Sequence, residues 1–200
     1  ARALSTSIRD DDGAEVLKAW LAGEEVPEGL AVDTDLRWRL VTDLARIGAI
    51  GDDVIAAENE RDNTAAGAEK AAGARAALKS PDAKAAAWQR ALADDTPNET
   101  HFQVTALFWQ VDQADELAPY VDAYFDAVEA ISQGRDGWGD RSTQIRQHVL
   151  SNLFPRPLAD QAFLDRLDAF MAERELVDSV RRLVIERRDD AARALGNRVR

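Results

Sequence analysis

The sequence predicts an all-α protein, and two observations carry that prediction. Apolar residues recur at helical spacing along most of the chain, and no segment alternates apolar and polar residues over the length of a strand. Residues typical of helix starts and ends also recur between these segments, so the predicted helices have short connections. Pairs of helices return at intervals of roughly 40 to 47 residues, and we therefore predict a curved α-α superhelix of HEAT/armadillo-like helix pairs. A compact helical bundle is the alternative, because no repeat is visible in the sequence itself.

The N-terminal part is predicted to hold one short helix. It covers residues 14–21 behind the three aspartates at 10–12, whose charges suit a helix N-terminus, and Gly23 and Pro27 end it. We therefore assign residues 1–32 to a short helix with a linker and residues 33–200 to the superhelix domain. One continuous domain over residues 1–200 is equally acceptable.

The helix predicted from about Thr34 to Ile47 has two apolar stripes, and Gly48 is well placed to end it. Two stripes imply that the helix packs on two sides, which a surface helix does not need. The first stripe is Leu36, Leu40, Leu44 and Ile47, and the second is Trp38, Val41 and Ala45.

Further helix starts are predicted along the rest of the chain. Asp52 or Asp53 is expected to cap the third helix, and Ser80 with Pro81 to begin the fifth. A cluster at residues 62–64 begins an alanine-rich helix, Pro119 lies in the first turn of the strongest helix, and the last three helices cover about 140–154, 159–172 and 176–195. The helix that follows Pro97 is expected to be buried around most of its circumference, through Phe102, Val104, Leu107, Phe108, Trp109 and Val111.

The formal net charge of −12 argues against nucleic acid as a partner, because phosphate binding needs a basic surface. Residues 176–200 are an exception, with seven arginines against four acidic residues. This stretch is either a cationic surface that faces an acidic neighbour or a peptide carboxylate, or a solvated helix face. The second interpretation predicts the ion pairs Asp178–Arg182 and Asp189–Arg193.

Membrane and export signals are missing from the sequence. No apolar run approaches the roughly 18 residues that cross a bilayer, and the first residues lack the apolar core of a signal peptide. The chain begins with Ala1, so we expect an excised or processed fragment. It has no cysteine, which is compatible with a reducing compartment, and the expected location is the cytoplasm.

The sequence contains no complete catalytic pattern. His101 and His148 lack a second histidine four residues away and a glutamate three residues before, so neither is expected to bind a metal. Asp11 and Asp12, followed by Glu15, superficially match the acidic clusters that hold magnesium in all-helical enzymes, and the aspartate pairs at 52–53 and 189–190 could complete such a site by count only. Acidic helix starts explain all three pairs without a metal. There is no nucleophile elbow and no phosphate loop.

Trp138, in a glycine-rich loop, is the one tryptophan expected at the surface, either anchoring a partner domain or covering its own loop.

The order of several short motifs resembles the C-terminal helical domain of bacterial aminopeptidases N, in the M1 zinc family. Each motif is weak alone, but together they cover nearly the whole chain. They are GLAVDTDLRWRL at 29–40, WLAG at 20–23 with PEG at 27–29, DNTAAG at 62–67, LFWQ at 107–110, APYV at 118–121 with YF at 124–125, LFP at 153–155, and RLVIERRDDAARAL at 182–195.

The resemblance implies a function that this chain does not perform alone. Enzymes of the family remove N-terminal residues from peptides with a zinc ion, held by an upstream domain with GAMEN and HExxH motifs that this sequence lacks. The implied partners are that catalytic domain, in the same polypeptide, and peptide substrates, with no nucleic acid and no membrane. The chain itself is expected to hold no cofactor and to be inactive alone, while it covers the active site and shapes the peptide chamber.

Four residues are predicted contacts under this interpretation. Arg37, Arg181 and Arg182 are candidates for the chamber wall, because a guanidinium matches the two oxygens of a peptide carboxylate. For Arg37, an ion pair with Asp33 at the helix start is at least as well supported. Trp138 is the candidate anchor at a domain interface. A free-standing helical adaptor that binds a peptide or protein in its concave face remains the alternative function, and an all-helical magnesium enzyme is the third.

Overall fold

The computed structural model describes Ile8 and residues 10–198, and these residues form ten α-helices of ten or more residues and no strand. A four-residue helix, α7 (Ala114–Leu117), precedes α8, and a 3₁₀ turn (Arg156–Leu158) precedes α10. The long helices are α1 (Asp11–Ala22), α2 (Thr34–Ile47), α3 (Asp52–Arg61), α4 (Ala65–Ala77), α5 (Pro81–Leu92), α6 (Asn98–Phe108), α8 (Pro119–Gln133), α9 (Thr143–Asn152), α10 (Gln161–Glu173) and α11 (Asp178–Arg198).

The helices are arranged as successive pairs in two layers. Helices α2, α4, α6, α9 and α11 form one row in which each packs on the next, and we call it the second-helix row. Helices α1, α3, α5, α8 and α10 each precede a member of this row and pack against it. The prediction of an all-α superhelix of helix pairs is confirmed.

Local sequence explains where the helices begin and end. The Asp33 carboxylate accepts a hydrogen bond from the backbone N–H of Leu36, at 2.8 Å, and so caps α2. Gly48 ends the same helix with φ +80°, a conformation that side chains with a Cβ rarely adopt. Thr64 and Ser80 cap α4 and α5 as predicted. Each of these three capping side chains accepts a hydrogen bond from the backbone N–H three residues later, and these bonds set where α2, α4 and α5 begin.

The two stripes of α2 lie in two separate hydrophobic clusters, which confirms that this helix packs on both sides. Its leucine stripe packs against α1, and its Trp38 stripe packs against α3 and α4. The first cluster contains Ala14, Leu17, Trp20, Leu36, Leu40 and Leu44, and the second contains Trp38, Val41, Ala45, Ile55, Ala71 and Ala74.

Helices α4 and α6 lie close together at Gly73. A Cβ placed there would lie 2.8 Å from Cδ1 of Leu107 and 3.3 Å from the backbone oxygen of Gln103. The small glycine and alanine residues of α4 therefore let side chains of α6 contact the backbone of α4.

Two predictions about these elements are wrong. Gly51, not Asp52 or Asp53, is the N-cap of α3, and both aspartates lie in its first turn, where their charges still favour the helix. The burial expected around α6 is also incomplete. Phe102 is 41% exposed although its ring contacts that of His148, and Val111 is 63% exposed because α6 ends at Phe108.

Candidate functional site

A cleft of about 480 Å³ lies between the end of α8, one face of α9 and the first turns of α11. Its apolar lining is Ile131, Leu150, Val177, Val180 and Leu183. Its polar lining is Ser132, Gln133, Thr143, Arg146, Gln147, Ser179 and Arg182. We refer to it as the arginine cleft. It combines an apolar lining with cationic and neutral hydrogen-bond donors, as ligand sites commonly do.

The charge of the arginine cleft opposes that of the chain. Arg146 and Arg182 line it, and within residues 10–198 no carboxylate does. Arg146 donates only to the Thr143 hydroxyl, at 3.4 Å, and forms no ion pair with a described residue. The nearest carboxylate to Arg182 is that of Glu186, at 3.9 Å from Nε, and the Arg182 side chain is 72% exposed. The cleft is therefore locally positive on a chain whose net charge is −12.

Two helix ends shape the arginine cleft. Helix α9 begins at Thr143 behind the N-cap Ser142, and α11 begins at Asp178. The backbone N–H of Val177 donates to the Ser132 hydroxyl, at 2.9 Å, which ties the start of α11 to α8. The partial positive charge of both helix N-termini adds to that of the arginines. This arrangement can bind an anion.

The two adjacent arginines predicted as chamber contacts have different roles. Arg181 donates to the carbonyls of Met171 and Arg174, at 2.9 and 3.1 Å, and so caps the C-terminal end of α10. Arg182, one residue later, lies in the arginine cleft. The predicted pairs Asp178–Arg182 and Asp189–Arg193 are wrong, because Arg182 lies near Glu186 and Arg193 pairs with Asp190.

Arg37 is held by a partner that sequence reasoning missed. Its Nε and Nη2 donate to the Glu58 carboxylate, at 2.9 and 2.7 Å, and its Nη1 donates to the carbonyl of Leu21. The expected partner was Asp33, which caps α2 instead. Burial raises the pKa of Glu58, but the hydrogen bonds and charges of Arg37 and Arg61 outweigh it, so the net pKa lies below the ordinary value. Arg37 joins α2, α3 and the end of α1.

Trp138 is buried, at 3% exposure, so the expectation of a surface tryptophan is wrong. The guanidinium of Arg141 stacks on the indole, 3.9 Å from the ring centroid. The loop between α8 and α9 therefore folds the ring back onto the core, which the sequence left as the alternative. The proposed role as an anchor at a domain interface stays a prediction.

The two histidines lie together, although 47 positions separate them. His101 Nε2 is 2.9 Å from the carbonyl of Ala91, which only accepts, so this nitrogen carries the proton of the neutral ring. The Nδ1 of His101 then accepts from Nδ1–H of His148, at 3.1 Å. Burial, with smaller contributions from the nearby His148 and Arg141, lowers the pKa of His101 to about 4, although the hydrogen bond to the Ala91 carbonyl opposes the shift. The pair is a neutral hydrogen-bonded contact between α6 and α9.

Lys84 is a second buried group that the sequence did not reveal. It has no exposed surface, and its Nζ donates to the carbonyls of Ala76 and Phe108, at 2.6 and 2.9 Å. These carbonyls lie at the C-terminal ends of α4 and α6. Burial lowers the pKa of Lys84 to about 7, and the charge of Glu116 opposes that shift. The ammonium joins two members of the second-helix row.

The part of the chain that the structure describes does not fit a zinc site. No group of three or more histidine, aspartate or glutamate side chains within the described residues is placed to hold a metal. His101 and His148 turn a nitrogen toward each other, and the other nitrogen of His101 is taken by Ala91. The zinc ion of the parent protein stays a prediction.

The structure also bears on membrane association. No helix within the described part of the chain is long and apolar enough to cross a bilayer. The cytoplasmic location stays a prediction.

Comparison with known proteins shows which family the chain belongs to. The ERAP1-like C-terminal domain matches residues 2–193. Aminopeptidase N of Streptomyces lividans is 43% identical over 196 residues, which are 98% of this chain and 22% of that protein. The chain thus spans about a fifth of the length of this curated relative. These findings confirm the resemblance stated above, and the chain therefore belongs to the family of ERAP1-like C-terminal domains, as part of an aminopeptidase N-like protein.

Proposed function

We propose that this chain is the non-catalytic C-terminal domain of a zinc-dependent aminopeptidase that removes N-terminal residues from peptides. The observation that carries the proposal is 43% identity to an aminopeptidase N over 98% of the chain. The absence of an HExxH motif from the sequence supports assignment of the chemistry to another part of the polypeptide. The chain makes up 22% of the length of its relative, which leaves ample sequence for a catalytic domain.

The domain is proposed to cover the active site of the upstream catalytic domain and to shape the chamber that receives peptides. Arg37, Arg181 and Arg182 are its proposed wall contacts, and they differ in what they offer. Arg37 and Arg181 already donate to protein acceptors, whereas the exposed Arg182 keeps most of its donors for a ligand. Arg182 is therefore the wall contact that the geometry favours. Trp138 is the weaker choice as an anchor, because Arg141 covers its ring.

The test compares three proteins: the full-length polypeptide, the same polypeptide without this domain, and the isolated 200-residue chain. We expect the full-length protein to hydrolyse an aminoacyl amide reporter and the isolated chain to be inactive with added zinc. Removal of the domain should relax the size limit, so that longer or folded substrates compete with the reporter more effectively. Turnover by the isolated chain would overturn the non-catalytic assignment, and an unchanged size limit would overturn the role in access.

A free-standing adaptor is the second candidate, because a superhelix of helix pairs offers a long surface for a peptide or protein. The two candidates differ in the native polypeptide. An upstream HExxH motif in the same reading frame supports the aminopeptidase domain. A native product that begins near Ala1 and binds protein partners would support the adaptor instead.

A further inference from the structure

We propose that the loop between α8 and α9 carries a site of spontaneous backbone modification, at which Asp136 converts to isoaspartate through a cyclic imide formed with Gly137. This reaction is easiest at Asp–Gly, because glycine has no side chain to hinder the approach of its backbone nitrogen. The sequence contains two such dipeptides, Asp12–Gly13 and Asp136–Gly137. The inference, which does not depend on the proposed function, is that the fold leaves the second open to the reaction and protects the first.

Asp136 and Gly137 are both exposed and lie at the centre of a tight turn. Their φ angles are +54° and +78°, and the backbone N–H of Trp138 donates to the carbonyl of Arg135, at 2.9 Å. Positive φ at both central residues is typical of a type I′ turn, which favours Asp–Gly. Within the described part of the chain, the Asp136 carboxylate has no hydrogen bond or ion pair, and the Gly137 N–H donates to no acceptor. The two groups that would react are therefore unrestrained by other residues.

The same dipeptide is held differently at the start of α1. Asp12 and Gly13 lie in the first turn of that helix, and the Gly13 N–H donates to the carboxylate of the N-cap Asp10, at 2.8 Å. A Cβ placed on Gly13 would lie 2.7 Å from Ile8, so this backbone is also closely packed. The nitrogen of Gly13 can reach the Asp12 side chain only after the helix start opens. Asp12–Gly13 is thus a matched control within the same molecule.

The proposed reaction needs no other reactant than water. The backbone nitrogen of Gly137 attacks Cγ of the protonated Asp136 carboxyl, so that an N–Cγ bond forms and a Cγ–O bond breaks. The amide hydrogen and the hydroxyl group leave together as one water molecule, and a five-membered imide remains. Water then adds to one of the two imide carbonyls. Opening at Cγ restores aspartate, whereas opening at the former main-chain carbonyl gives isoaspartate.

Isoaspartate would disturb the packing of the next residue. It places the Cβ of Asp136 in the main chain, so the turn that is closed by the Trp138–Arg135 hydrogen bond becomes one carbon longer. Trp138 is only 3% exposed, and the guanidinium of Arg141 stacks on its ring. We therefore expect the modified molecules to be less stable than the unmodified ones, because the longer turn pulls the indole out of its buried position.

The experiment incubates the folded full-length polypeptide at neutral pH and then digests it. Mass spectrometry of the two Asp–Gly peptides, with methyl transfer from S-adenosylmethionine by a protein isoaspartyl methyltransferase, measures isoaspartate at each position. We expect roughly fivefold more at Asp136 than at Asp12, because opening one capping hydrogen bond slows the reaction by about that factor. Synthetic peptides with the two sequences should react at similar rates, which would show that the fold causes the difference.

Two variants complete the test. Asp136→Asn keeps a residue that suits the turn and should react faster, because ammonia rather than water leaves. Asp136→Gly removes the reacting carboxyl, and glycine also adopts positive φ, so this variant should fold and stay unmodified. After incubation, the wild type should show a second unfolding transition at lower denaturant that Asp136→Gly lacks. Equal isoaspartate at positions 12 and 136 of the folded protein, or none at 136, would overturn the modification site. An incubated wild type without the second transition would overturn its effect on packing.

Discussion

Nδ1 of His101 lies 3.1 Å from Nδ1 of His148, and this contact joins α6 to α9 inside the second-helix row. The same interface carries a second polar contact, four residues further along each helix, where Asn152 donates to the Thr105 hydroxyl at 3.1 Å. Both contacts span 47 positions, so the two helices run parallel at a single register. A polar pair among apolar neighbours favours that register, because a shifted helix would leave the Nδ1 atoms of both rings without this partner.

The histidine pair predicts a loss of stability in mild acid. The folded state holds the pKa of His101 near 4, against 6.5 for the free side chain, so folding favours the neutral ring. Its contribution is complete above pH 6.5 and is lost as the pH falls toward 4. Protonation of His101 should lower the free energy of unfolding by about 2 kcal/mol between pH 8 and pH 5, and burial of His148 and of Lys84, whose pKa is about 7, acts in the same direction. Urea unfolding of the 200-residue chain at several pH values measures this loss of stability.

The control for the pH effect is His101→Gln, whose amide can still donate to the Ala91 carbonyl. Its unfolding free energy should fall by about 2 kcal/mol less than that of the wild type between pH 8 and pH 5, because the buried His148 and Lys84 still favour their neutral forms in the folded state. A wild-type chain without a slope in this interval would contradict the assignment of a neutral buried pair. Measurements stop at pH 5 because the carboxylates, Glu58 among them, titrate below it.

Arg37→Met should destabilise the chain by about 2 to 4 kcal/mol, because it leaves the carboxylate of Glu58, only 4% exposed, with Arg61 as its remaining partner. The control is Lys70→Gln, which breaks the exposed pair with Asp35 and should cost less than about 1 kcal/mol. Chemical denaturation measures both. Equal losses of stability in the two variants would show that the Arg37–Glu58 contact contributes no more than an exposed ion pair.

Gly73→Ala should destabilise the chain by about 1 to 3 kcal/mol, because the new methyl group would meet Leu107 and Gln103 and push α4 away from α6. Gly196→Ala is the control, since a Cβ there meets nothing within 4 Å. That change lies in α11 and should be neutral or stabilise by up to about 1 kcal/mol, as helix propensity predicts. Thermal unfolding compares the two. A stabilising Gly73→Ala would mean that α4 and α6 pack less tightly than described.

Gln113→Met should cost about 2 to 3 kcal/mol. The buried amide of Gln113 donates to the carbonyls of Arg46 and Ala77, at 2.7 and 2.8 Å, and the variant leaves both without this donor. Gln133→Met, at an exposed position of α8, is the control and should change stability by less than about 0.5 kcal/mol. The prediction fails if the two variants unfold at the same denaturant concentration.

The sequence by itself determined the helices and several of their ends. Asp33, Thr64 and Ser80 each bond to a backbone N–H three residues later, and Gly48 takes the conformation that ends α2. These are interactions within one turn, so the order of residues suffices to predict them. The two stripes of α2 could also be predicted from the sequence, because helical periodicity places them on opposite sides of the helix.

Only the tertiary structure decided which groups meet across the helices. Arg37 finds Glu58 rather than Asp33, His101 finds His148, and Arg146 joins Arg182 at one cleft. Trp138 and Lys84 are buried although their neighbours in sequence do not predict it. Each of these contacts joins separate helices or buries a side chain in a loop. Its existence depends on how the helix pairs stack, which local periodicity and capping do not specify.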